Sequence, residues 1–376
     1  MLARLLRVRA YGLWPNVEQP MLISDLGYPP AAAWIKATFE PRAPRRGFRR
    51  SLGAATMNAL RTRGLLIGRP SELALVAVER AIGKPPRRSR LTVYSTTGET
   101  FVKAMCLVFR RGEALPYAVV KMMPDRRFAW RLRRETEVVE RLRQRIGQSN
   151  EVAAALPLPP LYAGEIGDDF VVVQELDPLA GRAVRKDRKV ALDWLRTFQR
   201  ATTVRTESWK VSDDERELQI VRDAWHRVRR VQEAAVVARV NELLAEVRGE
   251  SVMRCAVHGD FWYGNIVSEG GRLRVFDWEW AGEEGTPFFD LWMYELAPIR
   301  WLTEDLGPPL AAALDGVRGE LEARCIDDRL ALPTLASAIG LMTFRERRIT
   351  GVRGINEENA APVMDAAEQL LFASKR

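Results

Sequence analysis

Histidine is nearly absent from this 376-residue chain: His226 and His258 are the only two. Three cysteines, Cys106, Cys255 and Cys325, are scattered. With so few nitrogen and sulfur ligands a zinc site built from Cys and His is not expected, and any metal is expected on oxygen. Three dispersed thiols also give no disulfide framework and suit a reducing, cytoplasmic setting. No run of eighteen apolar residues exists, so no membrane span is expected. The first residues interleave arginines with leucines instead of forming an apolar signal core, so export is not expected. No glycine-rich phosphate loop stands out. The 47% apolar and 28% charged content is that of an ordinary globular protein of one or two domains.

Charge is present but unevenly spread. Residues 1–90 hold 17 Lys/Arg against 5 Asp/Glu, a balance of +12, whereas residues 251–376 hold 13 against 20, a balance of −7. A basic end suits nucleic acid or an anionic membrane surface. Without an aromatic-basic repeat or a nucleic-acid motif, a solvated basic face is the favoured reading, and no specific nucleic-acid partner is expected.

The most informative stretch runs from His258 to Asp290. His258-Gly259-Asp260 leads through Phe261-Trp262-Tyr263-Gly264 to Asn265, and Ile266-Val267 and Val275-Phe276 flank a polar Gly270-Gly271 turn. Apolar arms around such a turn predict a hairpin. Pairing the arms brings Asn265 beside Asp277, with Asp260 on the loop entering the same hairpin. One carboxylate, one amide oxygen and a second carboxylate suit phosphoryl transfer. Asn265 and Asp277 can supply the protein's share of an octahedral Mg2+ site. Asp260 can orient an attacking hydroxyl and take its proton.

The block resembles the catalytic and metal-binding loops of the aminoglycoside phosphotransferase and choline kinase family, small-molecule relatives of protein kinases. The family pattern is His-Gly-Asp, four residues, Asn, then a hairpin to an Asp in an Asp-Trp-Glu triplet. Asp277-Trp278-Glu279 completes it here. The resemblance covers residues 91–372. It implies an α+β, two-lobed protein-kinase-like fold, with a small antiparallel-sheet lobe over 91–176 and a mainly helical lobe over 177–376. The basic extension, 1–90, precedes them. It also implies ATP and Mg2+ as cofactors and a small-molecule hydroxyl acceptor. Asp290, in Pro287-Phe288-Phe289-Asp290-Leu291, matches the acid that ties the catalytic loop. His258 reads as a structural bracket for that loop.

Upstream, three antiparallel strands are predicted near 91–95, 100–109 and 115–123. Gly98, in the first turn, stands where kinases place their phosphate-covering loop. Lys121, flanked by Val119-Val120 and Met122-Met123, resembles the strand lysine that bridges phosphates. Its partner acid is expected on a helix over 126–146. The family register points to Glu135, while helical spacing alone leaves Glu137 and Glu140 open. Strands over 161–166 and 170–176 resemble the hinge, where backbone groups near Gln174 and Leu176 would bind adenine.

Within 1–90, Leu73–Val78 reads as a buried strand and 51–66 as a helix. That region is vaguely similar to the end of a class I methyltransferase domain, but its lack of a cofactor loop argues against methyl transfer. Long helices are predicted over 188–203 and 213–248, with further helices at 308–325, 329–344 and 359–372. For the acceptor, Glu283, Glu284, Glu304, Asp305, Glu357 and Glu358 suit an aminoglycoside. Trp262, Tyr263, Trp278, Trp280 and Trp292 suit a quaternary ammonium such as choline, and a sugar fits equally. The rival reading is a catalytically silent pseudokinase that binds nucleotide and docks a partner through its basic end.

Overall fold

The computed structural model describes residues 9–14, 22–25, 64–68, 72–83, 90–95, 103–110, 113, 115–123, 126–147, 151–177, 187–228, 231–269, 272–299, 305–350 and 357–373. The chain divides into two compact units. The first comprises Met1–Glu140, Leu156–Arg185 and Val267–Arg274; the second comprises Arg141–Ala155, Lys186–Ile266 and Val275–Arg376. The expected α+β composition is found, with a large antiparallel sheet in the first unit and most of the helices in the second.

The first unit is built on an eight-stranded antiparallel sheet in the order β3-β1-β2-β4-β5-β6-β8-β7. The strands are β1 (Arg9–Trp14), β2 (Leu22–Asp25), β3 (Gly64–Gly68), β4 (Arg90–Ser95), β5 (Ala104–Phe109), β6 (Pro116–Met122), β7 (Tyr162–Ile166) and β8 (Asp169–Gln174). The predicted strands of residues 91–176 are present as β4 to β8. Three strands from the first ninety residues extend the same sheet through pairing of β2 with β4.

Leu73–Val78 corrects the expectation of a strand: it lies inside helix α1 (Glu72–Ile82). Short apolar runs of this kind fit either element by composition. The helix wins because Ala74, Ala77 and Val78, at i, i+3 and i+4, form one fully buried stripe. That stripe packs on Cys106 and Val108 of β5, Ala118 and Val120 of β6, and Val171 and Val173 of β8. Those residues alternate along their strands, so all lie on one face of the sheet. Lys121, opposite Met105 and Val172, belongs to the other face. Arg80, in the last turn of α1, donates to the Glu165 carbonyl at 2.9 Å. Helix α2 (Ala129–Ile146) follows β6 as predicted, and a single turn, α3 (Glu151–Ala154), comes before β7.

The second unit contains α4 (Arg188–Ala201), α5 (Val211–Val228), α6 (Glu233–Glu246), α7 (Phe288–Leu296), α8 (Gly307–Glu322), α9 (Ala331–Thr350) and α10 (Glu357–Ala373). The single helix predicted over 213–248 is two. Neither Pro nor Gly marks the break, and apolar residues continue across it, so periodicity alone runs the two together. A three-stranded sheet, β13-β10-β9, joins β10 (Ser251–Val257) to β9 (Arg205–Ser208) and β13 (Gly282–Gly285). Arg254 of β10 is buried against Asp213 and Glu207, with contacts of 2.7 Å to each. This pins the strand that feeds the His258 loop. The predicted hairpin is β11 (Ile266–Glu269) with β12 (Arg272–Val275).

Among the described residues no helix is long and apolar enough to cross a membrane. All three cysteines are free thiols. Burial pushes the Cys106 thiol up to about 12. Burial, with the Asp290 charge adding to it, does the same for Cys255. Cys325 is exposed. Because the thiolate is the reactive form, the native protein should react with a thiol reagent at Cys325 alone near pH 8, and at all three cysteines once unfolded. Peptide mapping of the labelled sites checks this.

Candidate functional site

The His258–Asn265 loop is held by one buried carboxylate and one buried imidazole. Asp290, fully buried in the first turn of α7, accepts the His258 N–H on Oδ2 and the Gly259 N–H on Oδ1, each at 2.7 Å. His258 Nε2 lies 2.8 Å from the Phe276 carbonyl oxygen, and His258 Nδ1 lies 3.1 Å from the Asp260 backbone nitrogen. A carbonyl only accepts and a backbone N–H only donates, so Nε2 carries the proton and Nδ1 accepts. Both ring nitrogens are thereby committed, and His258 has no lone pair left for a substrate. The ring ties the start of the loop to the residue before Asp277.

Gly259 is required for two independent reasons. Its φ of +76° is left-handed, and a Cβ there would come within 2.5 Å of the Trp280 carbonyl oxygen. Under the loop lies an aromatic layer. Trp194 stacks on Phe198 and Phe261, and Trp278 meets the His258 ring edge-on at 4.5 Å between centroids. Pairs of this kind contribute about 0.5–1.5 kcal/mol beyond their burial. The Trp278 indole N–H donates to the Val275 carbonyl at 3.0 Å, so no polar atom of that buried ring is orphaned.

Asn265 is the joint between loop and hairpin. Its backbone N–H donates to the Trp262 carbonyl at 2.9 Å, and its own carbonyl accepts the Phe276 N–H at 2.8 Å. The second bond sets Asn265 beside Asp277, as the hairpin pattern required. The Asn265 Nδ2 donates to the Asp260 backbone carbonyl at 2.9 Å and to Asp260 Oδ2 at 2.7 Å. Those bonds use the amide's donor end and leave Oδ1 as its outstanding acceptor. Asp277 has φ 60° and ψ 61°, the left-handed region, and begins the short turn Trp278–Trp280. A non-glycine residue held there stores local strain that its surroundings must offset, and aspartate tolerates it better than most.

The donor set at this turn is oxygen throughout. Among the described residues no group of three or more His, Cys, Asp or Glu side chains forms a metal cluster. An amide oxygen with a neighbouring carboxylate fits a hard divalent cation whose remaining positions go to phosphate and water. Asp260, Asn265, Asp277, His258 and Asp290 are thus brought together by direct hydrogen bonds and chain adjacency.

In the first unit, Lys121 Nζ lies 2.8 Å from Glu135 Oε1. The choice among three acids on α2 is now made by burial: Glu135 is buried, whereas Glu137 and Glu140 are exposed. Gln174 closes β8 and donates through Nε2 to the Leu158 carbonyl at 3.0 Å. That bond occupies its side chain but leaves the chain beyond it, through half-buried Leu176, outside the sheet pairing. Gly98 lies outside the described residues. Sequence reasoning missed Lys103, which also approaches Glu135, at 3.8 Å. The register of β5 on β6, which the sequence alone does not give, brings it there.

The residues expected at an acceptor site divide. Trp278 and Trp292 are fully buried and unavailable for a cation cage. Trp262, Tyr263 and Trp280 are half-buried. Glu283 is paired with Arg141 at 2.6 Å, and Glu284 with Arg205. Asp305 is exposed. Glu304 and the side chains of Glu357 and Glu358 lie outside the described residues.

Residues 107–326 match the model of the phosphotransferase enzyme family. Among solved structures, the chain is similar to a thermostable mutant of aminoglycoside phosphotransferase APH(4)-Ia in ternary complex with ADP and hygromycin B. That match has 14% identity and a TM-score of 0.49, and covers 79% of this chain and 97% of that one. It is also similar to the amicoumacin kinase hAmiN in complex with AMP-PNP, Ca2+ and Ami, with 15% identity, 75% and 88% coverage, and a TM-score of 0.43. A glucosamine kinase matches with 18% identity, 82% and 86% coverage, and a TM-score of 0.40. No curated protein matches the chain.

Proposed function

This chain belongs to the phosphotransferase enzyme family, and on that premise we propose that it moves the γ-phosphoryl group of ATP to a hydroxyl group of a small molecule. The observation that carries the reading is the buried clamp of Asp290 and His258. It fixes Asp260, Asn265 and Asp277 on one loop and hairpin.

Asp260 orients the acceptor hydroxyl and takes its proton as the new oxygen–phosphorus bond forms and the bond to ADP breaks. Asn265, through its amide oxygen, and Asp277, through its carboxylate, would hold Mg2+. Bound there, the ion supplies charge neutralisation for the phosphates. Lys121, held by Glu135, positions the phosphates, and backbone groups between Gln174 and Leu176 take the adenine edge. His258 and Asp290 act through the loop and touch no substrate. This chemistry needs mainly positioning and fixed charge, which the clamp provides.

The acceptor is of the aminoglycoside, choline or ethanolamine, or sugar class. The engagement of Glu283 and Glu284 with arginines, and the burial of Trp278 and Trp292, narrow the residues left to recognise it. The three free thiols, two buried and one exposed, support action in a reducing compartment such as the cytoplasm. The domain reading assigns 91–176 and 177–376 to the two kinase-like lobes, with 1–90 supplying the outer strands and α1.

The test is ATP consumption by the purified chain with Mg2+, run across aminoglycosides, choline, ethanolamine and simple sugars. Turnover that depends on one acceptor class is the expected result. Tight ATP binding without turnover on any hydroxyl compound would favour the silent pseudokinase, and no ATP binding would end both readings.

A further inference from the structure

Glu135 meets two ammonium groups. Its Oε1 lies 2.8 Å from Lys121 Nζ, and its Oε2 lies 3.8 Å from Lys103 Nζ. All three side chains are nearly buried, at 12% exposure for Lys121, 13% for Lys103 and 7% for Glu135. The strand register explains the convergence. Met105 of β5 pairs with Lys121 of β6, and Lys103 precedes Met105 by two residues. Alternation therefore puts Lys103 and Lys121 on the same face as diagonal neighbours, with stems about 7–8 Å apart. That is the face opposite the one covered by α1. A carboxylate delivered from α2 reaches both tips.

The two contacts differ in kind. At 2.8 Å Lys121 is hydrogen-bonded to Glu135, so its position is fixed. At 3.8 Å Lys103 is within ion-pair range but beyond hydrogen-bond range of the carboxylate. Its contact with Glu135 is thus an ion pair without a hydrogen bond. Both ammonium groups are largely removed from water, and ammonium groups in such surroundings bond phosphate oxygens strongly.

We infer that Lys103 is a second phosphate-binding residue, which joins Lys121 on the polyphosphate of a nucleoside triphosphate while Glu135 holds both. The inference rests on the ATP reading above and extends it. A lysine that only balances Glu135 would serve adenosine and ATP alike, whereas a phosphate-binding lysine distinguishes them.

The experiment compares ATP and adenosine binding by calorimetry for the full chain and its Lys103→Gln and Lys103→Arg variants. Lys103→Gln is expected to lose about tenfold in ATP affinity, or about 1.4 kcal/mol, with adenosine affinity kept within about twofold. Lys103→Arg should recover most of the loss. ATP affinity unchanged in Lys103→Gln overturns the inference. Amine labelling of the unmodified chain gives a readout that no variant's folding affects: Mg-ATP should shield both Lys103 and Lys121, and shielding of Lys121 alone overturns the inference. If the unmodified chain binds no ATP, the nucleotide reading and this inference fall together. If ATP binding needs Lys121 but not Lys103, only the inference falls.

Discussion

Asp260→Asn is expected to lower turnover by about a thousandfold, within the range of a positioned general base, while ATP affinity changes by no more than a few-fold. The hydrogen bonding makes this substitution informative. Asp260 Oδ2 accepts the Asn265 Nδ2 at 2.7 Å, and an asparagine oxygen can accept the same bond. The Asp260 backbone bonds, from Asn265 Nδ2 at 2.9 Å and to His258 Nδ1 at 3.1 Å, do not depend on the side chain. The loop therefore keeps its shape and loses only the negative charge that orients and deprotonates the acceptor. Parallel measurement of kcat and of ATP affinity separates the two effects. Comparable loss of both would assign Asp260 to ground-state binding, and unchanged kcat would remove it from the chemistry.

Asp290→Ala is expected to destabilise the fold by roughly 2–6 kcal/mol, because it orphans two buried N–H donors at about 1–3 kcal/mol each. The donors are the backbone nitrogens of His258 and Gly259, both bonded at 2.7 Å. Neither has a route to solvent through Asp290, which is fully buried. Asp290→Asn should fall between the wild type and alanine. Its amide oxygen serves one donor, but its NH2 group faces the other. Denaturant melts of the three proteins check the order, and turnover at a temperature where all are folded checks the role. Activity should follow the same order, since the clamp positions Asp260 two residues away. An Asp290→Ala protein as stable as the wild type would show that water replaces the carboxylate and that the clamp is dispensable.

The candidate site was largely legible in the sequence because its parts are local. Asp260, Asn265 and Asp277 lie on one loop and hairpin, and the turn chemistry of Gly270-Gly271 with its apolar arms fixes their adjacency. His258 and Asp290 came from the family pattern, and the structure supplies the physical reason for both in the bonds to Phe276, His258 and Gly259. Lys121 stood out as a charge inside an apolar strand. Its partner did not, because helical spacing treats Glu135, Glu137 and Glu140 alike; burial on the sheet side of α2 separates them. Lys103 was invisible for a related reason: its meaning depends on which residue of β6 faces which residue of β5. Helix α1 was misread because Leu73–Val78 fits a strand by composition, and only the sheet face it covers makes the helical stripe decisive. The ion pairs of Arg254 with Asp213 and Glu207, and those that occupy Glu283 and Glu284, join residues far apart in the chain. No window of sequence shows them.

The most direct test of phosphoryl transfer needs no guess at the acceptor. The purified chain is incubated with ATP labelled at the γ-phosphorus and a mixture of small hydroxyl compounds, and the products are separated by mass. The account predicts label in a small-molecule phosphate monoester with the wild-type chain, and formation of that product about a thousandfold slower with Asp260→Asn. Label that stays in ATP, appears only as inorganic phosphate, or transfers equally well with Asp260→Asn would contradict it.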